Sequence, residues 1–269
     1  MPKRVEPEMT RLAANLTYLF TEWDFLDRFG AAAQAGFRGV EYQLPYAHDR
    51  QAMADRLREH DLEMVLINLP AGDVQAGDAG VACDPNRKQE FRNGVEEGIE
   101  FAKALGCPQL NCLAGIAPPG VDAHRLLDTF VDNLRIAAER LAGEGLRLLI
   151  EPINTRDRPG FYLSRSTQAM DIIDAVGGNN LFLQFDVYHT QIMQGDIVKN
   201  FEAHRERIRH VQIADNPGRH EPGTGEINFP FVLAALDAMG YGGWVSCEYA
   251  PSTNTLESLH WARDYLGQS

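Results

Sequence analysis

The sequence predicts an α/β fold, a (β/α)8 barrel in a single domain spanning 1–269, on three observations. Short β-rich apolar runs recur along the chain, each is followed by a segment of helical periodicity, and the alternation repeats eight times within 269 residues. Eight consecutive βα units in a chain of this length close most naturally as a barrel. An open doubly wound sheet usually has fewer strands and a nucleotide-type glycine loop, and neither GxGxxG nor a GxxxxGK run followed by Ser or Thr occurs.

The units follow one another in order. Arg11 to Leu19 is the first expected strand and Asp24 to Ala35 its helix; Gly39 to Gln43 is followed by Arg50 to His60, and Met64 to Leu69 by Arg87 to Leu105. Gln109 to Leu113 precedes Ala123 to Gly143, Arg147 to Ile153 precedes Ser166 to Val176, and Leu181 to Val187 precedes Asp196 to His204. The last two units join His210 to Ala214 with Pro230 to Met239, and Trp244 to Tyr249 with Leu256 to Leu266. Gly36, Gly106 and Gly240 stand where helices should end, since glycine accepts the left-handed cap conformation. Pro230 suits the first helical position, where its missing N–H costs nothing. Three strand-to-helix connections are long: Pro70 to Asn86, Asn154 to Arg165 and Asp215 to Phe229. All follow a strand's carboxyl end, the catalytic face of a barrel, so their length points to a covered substrate site and not to linkers.

Composition narrows the function class. Hydrophobic residues make up 44% and charged residues 23% of the chain, ordinary values for a soluble globular protein. No run approaches the ~18 apolar residues of a membrane span, and Met1 to Thr10 lacks an apolar leader core. The expected compartment is the cytoplasm, with no membrane partner. A formal charge of −13 repels polyanions, which disfavours nucleic acid as a partner. Cys83, Cys107, Cys112 and Cys247 show no CxxC spacing and are read as reduced thiols, mostly buried as small hydrophobes. Apolar positions on the outer helices leave a homo-oligomer open.

Four expected strands carry an oxygen ligand near their ends: RLLIEPIN supplies Glu151, LQFDVYH Asp186, HVQIADN Gln212 and VSCEYAP Glu248. Carboxylates are rare in apolar strands because an unpaired buried charge is expensive, so each needs a partner. Singly, any of them would serve as half of an arginine ion pair or as a backbone cap. Together, at equivalent places on successive strands, they predict one shared cation. Three carboxylates and an amide oxygen suit Mg²⁺ or Mn²⁺ better than a soft metal. His189, three residues after Asp186, is placed to bind metal, orient Asp186 or contact substrate, with a structural histidine as the alternative. Arg219 and His220, in the loop NPGRHEPGTGE, are candidate contacts for a substrate carboxylate, and arginine matches that group with its planar fork. Glu41, in GVEYQ, reads as a structural group of the barrel.

The segments GFRGVEYQLPY, INLPAGDVQAG, IEPINTRDRPGF, QFDVYHTQIMQGD, HVQIADNPGRHEPGTGEIN and SCEYAP, in this order, closely resemble the hydroxypyruvate isomerase family of the xylose isomerase-like TIM barrel superfamily. The resemblance runs from Ala14 to the last helix. It implies that Glu151, Asp186, Gln212 and Glu248 bind a divalent metal and that Glu151 and Glu248 act as acid and base. Gln212 stands where related ketose 3-epimerases usually have histidine, which favours the isomerase branch, and Ile67 replaces a histidine expected in the nearest hydroxypyruvate isomerases. The implied substrate is a small hydroxy-oxo acid, hydroxypyruvate, converted to 2-hydroxy-3-oxopropanoate (tartronate semialdehyde) by proton transfer through an enediolate, with a hydride shift as the alternative route. A 2-oxo-tetronate isomerase or a ketose isomerase or epimerase is the nearest rival reading. A DNA-repair endonuclease and a non-catalytic sugar-acid binder are further ones.

Overall fold

In the computed structural model residues 10–267 are described; of the Met1 to Thr10 segment only Thr10 is among them. The described residues form a closed barrel of eight parallel strands in sequence order. They are β1 (Arg11–Asn15), β2 (Gly39–Glu41), β3 (Glu63–Asn68), β4 (Gln109–Cys112), β5 (Arg147–Ile150), β6 (Leu181–Asp186), β7 (Ile208–Ile213) and β8 (Trp244–Cys247). β1 closes on β8 with Arg11 opposite Trp244 and Ala14 opposite Cys247. Around the outside lie α1 (Asp27–Gln34), α2 (Arg50–Glu59), α3 (Lys88–Leu105), α4 (Ala123–Ala142), α5 (Ser166–Val176), α6 (Val187–Met193), α7 (Ile197–His204), α8 (Phe229–Ala238) and α9 (Thr255–Ser258). No described helix is long and apolar enough to cross a membrane.

The expected alternation of strand and helix is the one found, and the differences at element ends have local causes. The first strand stops at Asn15 instead of Leu19 because the chain turns there: Leu19 N–H donates to the Asn15 carbonyl at 2.8 Å, and Asn15 Oδ1 accepts from Thr17 N–H. The final helix, expected to Leu266, breaks after Ser258 and resumes as a short 3-10 turn, His260–Ala262. Pro230 occupies the second position of α8, one later than expected, still within the turn whose N–H groups lack helical acceptors. The unforeseen α6 starts at once after β6, since Asp186 caps it. Gly106 adopts the left-handed conformation as the cap of α3, and Gly36 and Gly240 have positive φ one residue past the caps of α1 and α8.

The main hydrophobic core lies between barrel and helices: Phe29, Phe37, Phe130, Leu134, Phe185, Phe201 and Leu236 are among its buried members. A smaller cluster of Ala13, Val65, Leu66 and Leu149 is distinct from it. All four cysteines are free and buried. Each fully buried large side chain contributes roughly 1.5–3 kcal/mol, so the apolar shell is the main source of stability and leaves the barrel's upper end available for polar groups.

The long loop between β3 and α3 is drawn over that end. Asp78 receives a bidentate pair from Arg87 at 2.8 and 2.7 Å, and Asp73 caps the short turn Val74–Ala76. Gly80 crosses the strand end of β4 so closely that a Cβ on it would sit 2.3 Å from the Leu113 carbonyl oxygen, at a φ of +104° that side chains avoid. Gly80→Ala is therefore expected to cost about 1–3 kcal/mol and to loosen the loop; equilibrium denaturation measures the first, and protease susceptibility of the loop the second.

Candidate active site

Every strand places a buried polar group at the carboxyl end of the barrel. Asn15, Glu41, Asn68 and Asn111 come from β1 to β4, Glu151 follows β5, Gln184 and Asp186 lie on β6, His210 and Gln212 on β7, and Glu248 follows β8. Strand alternation explains the pairs two residues apart, which share one face of their strand. The ladder then sets their heights, with Asn68 opposite Asn111, and Asp186 opposite Gln212, which in turn faces Ser246.

Each acid is held by identifiable donors. Asp186 Oδ1 accepts the N–H groups of Tyr188 and His189 at 2.7 and 3.2 Å, capping α6 and leaving Oδ2 for the site. Glu151 Oε2 accepts from Asn111 Nδ2 at 2.9 Å, and that same amide bonds Asn68 Oδ1 at 3.2 Å. Glu248 Oε2 accepts from Asn15 Nδ2 at 2.8 Å and from Gln212 Nε2, while Oε1 meets Arg219 Nη2 at 2.5 Å. Beneath them Glu41 is paired with His210 Nε2 at 2.6 Å and takes the amides of Asn15 and Gln212 at 2.6 and 2.8 Å. Glu41 thus serves the structural role expected of it, steering two amides that also hold Glu248.

Arg219 arrives from the loop after β7. Asp215 folds that loop by accepting the N–H groups of Asn216, Gly223 and Ile227. Arg219 itself sits at φ 56°, a left-handed conformation uncommon for a side-chain-bearing residue. The turn aims its guanidinium between the rings of Tyr18 and Tyr188, 5.1 and 5.2 Å from their centres. Its neighbour His220 points elsewhere, with Nδ1 2.7 Å from the Ala250 carbonyl, and is not among the residues lining the cavity.

The cavity, about 130 Å³, is lined by Glu151, Glu248, His189 and Arg219, by Tyr18 and Asn68 below, and by Asp78, Asp157, Arg158 and Phe161 from the long loops. Asp186 and Gln212 lie outside that lining, fully buried behind it. Ile67 is also buried away from the cavity, in the outer core. The carboxylate oxygens of Glu151 and Asp186 and a ring nitrogen of His189 lie within 4.8 Å of one another, close enough to share one cation.

The electrostatics carry the same message. Burial, reinforced by Asp186, raises Glu151 to about 8 despite Arg219 nearby. Burial likewise raises Glu248 well above the ordinary carboxylate value, with Arg219 opposing and Glu41 and Glu151 adding to the rise. His189 is lowered to about 4 by burial, against the pull of Asp186, so its ring is neutral at physiological pH. Acids crowded this closely share protons or a cation, because they cannot all ionise unaided.

The model of the xylose isomerase-like TIM barrel family matches residues 29–265. Hydroxypyruvate isomerase of Escherichia coli (strain K12) is 48% identical over 257 residues, 96% of this chain and 100% of the relative. The chain belongs to the xylose isomerase-like TIM barrel family. Another member, 2-oxo-tetronate isomerase of Pectobacterium atrosepticum, is 41% identical across 96% of this chain and 98% of its own length. Among solved structures, that of a Brucella melitensis protein described as AP endonuclease, family 2, matches with a TM-score of 0.93 and 43% identity, covering 96% of this chain and 99% of that one.

For this member of the family, the amides that bond the site's acids and the groups beside them were not singled out from sequence: Asn15, Asn68, Asn111, Asn154 and Gln184. Their signal was an amide inside an apolar run, as in RLAAN, EMVLIN and QLNC. The Glu41–His210 pair is the deepest support among these groups. Burial pushes Glu41 up, but His210 beside it, together with hydrogen bonds from Gln212 and Ser246, outweighs burial and holds the carboxyl below its usual value. Its stabilisation is thus complete above the ordinary carboxylate range and is lost as pH falls through the lowered value. His210→Leu, which strands the carboxylate, is expected to cost about 3–5 kcal/mol near neutral pH; urea denaturation should show the deficit shrinking on acidification.

Proposed function

We propose that this enzyme interconverts hydroxypyruvate and 2-hydroxy-3-oxopropanoate, with Glu151 and Glu248 as the acid–base pair and Glu151, Asp186, Gln212 and Glu248 as the holders of one divalent cation, Mg²⁺ or Mn²⁺. The observation that carries this reading is the convergence of two glutamates with raised proton affinity on one small cavity that also receives a guanidinium. Near-complete coverage of a hydroxypyruvate isomerase at 48% identity supports the choice of substrate.

The donor set suits a hard cation. Once ionised, the three buried carboxyl groups would carry more negative charge than the Arg219 against them offsets, an excess for which a divalent ion is the natural partner. Gln212 turns its amide nitrogen toward Glu248, while its oxygen accepts from Gln184 Nε2 at 2.6 Å. Ligation through the oxygen requires the Gln212 amide to turn over and Gln184 with it, so that Gln184 Oε1, which has no hydrogen-bond partner, replaces Nε2 opposite Gln212 and accepts its N–H. When bound, the cation would polarise the substrate carbonyl and acidify the neighbouring C–H.

The chain's own groups supply the rest. Arg219 takes the substrate carboxylate, a match of planar fork to planar anion. One glutamate removes a proton from the hydroxymethyl carbon as the carbonyl oxygen gains one. The resulting enediol takes a proton from the opposite, protonated glutamate at the former carbonyl carbon, and the terminal hydroxyl becomes the aldehyde by giving up its proton, which balances the one gained by the carbonyl oxygen. His189, neutral and lining the cavity, contacts a substrate oxygen. Tyr18 and Phe161 wall the cavity, and the long loops limit water around the enediol.

The 2-oxo-tetronate isomerase relatives favour a second reading, a substrate one carbon longer handled by the same groups. The endonuclease description of the Brucella protein invites a DNA substrate, against which stands the charge of −13.

Assay of hydroxypyruvate and 2-oxo-tetronate side by side with added Mg²⁺ or Mn²⁺ decides between the first two readings. Glu151→Gln and Glu248→Gln are each expected to lower kcat by about 10²–10⁴-fold; full turnover in both variants would sink the mechanism. Reaction in deuterated water should place deuterium on product carbon, whereas a hydride shift leaves carbon unlabelled. Because Glu151 holds its proton up to about 8, cation affinity is expected to rise with pH until then, with a proton released on binding. Titration calorimetry in buffers of different ionisation enthalpy checks this. The raised value also means that Glu151's own contribution to the stability of the cation-free fold is full below the ordinary carboxylate range and is lost as pH climbs toward 8.

A further inference from the structure

Asn154 lies in the loop after β5, fully buried and in contact with His189. Its Oδ1 accepts the backbone N–H of Asp157 at 2.8 Å, a donor whose direction is not open to exchange, so this contact fixes which end of the amide is nitrogen. Nδ2 then faces two partners, Asp157 Oδ2 at 3.0 Å and His189 Nδ1 at 2.7 Å. Asp157 Oδ2 is held in place by the Tyr188 hydroxyl at 2.8 Å. An NH₂ group has only donors to offer, so the nitrogen it meets on His189 must present a lone pair. A proton on Nδ1 would put two donors face to face, which excludes both the Nδ1–H tautomer and the imidazolium. The ring's proton is therefore on Nε2.

Nε2 is the atom that faces the site. It lies 3.5 Å from Asp186 Oδ2 and 3.8 Å from Glu151 Oε1, too far for a direct hydrogen bond to either. With a lone pair there, His189 would join these two carboxylates in a mixed nitrogen–oxygen set of the kind zinc takes. With a proton there, it cannot ligate. We propose that Asn154 is a positioning residue that pins His189 as the Nε2–H tautomer, so that the ring enters the site as a neutral hydrogen-bond donor and is withheld from the cation. The device keeps the cation's protein ligands to oxygen and biases the site against zinc. The cation and the acceptor, a substrate oxygen, rest on the function proposed above; the tautomer does not.

Long-range ¹⁵N–¹H NMR of histidine-labelled, metal-free protein reads the tautomer directly, with the His189 signals assigned by their loss in His189→Gln. The expected result is a proton on Nε2 and a bare Nδ1. A protonated Nδ1 in the unsubstituted protein overturns the proposal without recourse to any variant. Asn154→Asp replaces the donor with an acceptor of the same shape. In that variant Nδ1 should become protonated, and the ratio of Zn²⁺ to Mg²⁺ affinities should shift toward Zn²⁺ by about 10- to 100-fold, the usual reach of a group that orients a ligating histidine. Taking the ratio cancels the effect of the added charge on both ions. An unchanged ratio in a folded variant overturns the proposal; if the variant does not fold, the spectrum of the unsubstituted protein decides alone. Neither readout requires turnover, so loss of the proposed isomerase activity and loss of the tautomer pin would be told apart.

Discussion

Burying Glu41, Glu151, Asp186 and Glu248 within one end of a barrel, with the Arg219 guanidinium and the His210 ring against them, is the constraint around which the rest of this molecule is arranged. Charges removed from water must be neutralised, hydrogen-bonded or protonated, and here all three occur together. His210 Nε2 meets Glu41 Oε2 at 2.6 Å. Asparagine and glutamine side chains from the neighbouring strands bond the remaining acids, and Glu151 and Glu248 answer the residual crowding by holding their protons more tightly. A group forced to keep its proton near neutral pH is suited to giving and taking protons at that pH, so the burial that is costly to the fold is what fits these acids for the proposed chemistry.

The amides divide into two ranks. Asn15 and Gln212 each bridge Glu41 to Glu248, so the Glu41–His210 pair and the acid proposed to react share their donors. Asn111 joins Glu151 to Asn68 in the same manner on the other side of the cavity. Such networks are rigid because every shift of one member leaves a neighbour unsatisfied in a low-dielectric interior. The outer rank is made by loops. Asp215 shapes the turn that delivers Arg219, and the Asn154–Asp157 pair, with Tyr188, sets His189. A barrel lends itself to this division, since the strands fix heights and the loops after them supply directions.

Most of the scaffold was legible in the sequence because barrel strands and covering helices have different periods, and glycine marks the turns between them. The eight units, the catalytic face and the convergence of Glu151, Glu248 and Arg219 follow from that pattern, since a strand's end in a barrel is also its place on the rim. The turn at Asn15 and the helix α6 were not legible. Both depend on a side chain capturing nearby backbone N–H groups, Asn15 that of Thr17 and Asp186 those of Tyr188 and His189, and such competition leaves no periodic trace.

The sequence by itself determined the barrel, the end that bears the chemistry and the acids near it, because each is encoded in local pattern and chain order. Only the tertiary structure decided what each acid touches: that Glu41 belongs to His210 across 169 positions, that Arg219 turns inward while His220 turns to Ala250, and that Gln212 offers nitrogen where an oxygen ligand was expected. Those outcomes depend on which atom of a side chain faces which neighbour across the barrel. A residue's type and spacing fix the donors and acceptors it owns, but not their directions, and in a buried polar layer direction settles protonation, tautomer and ligand set.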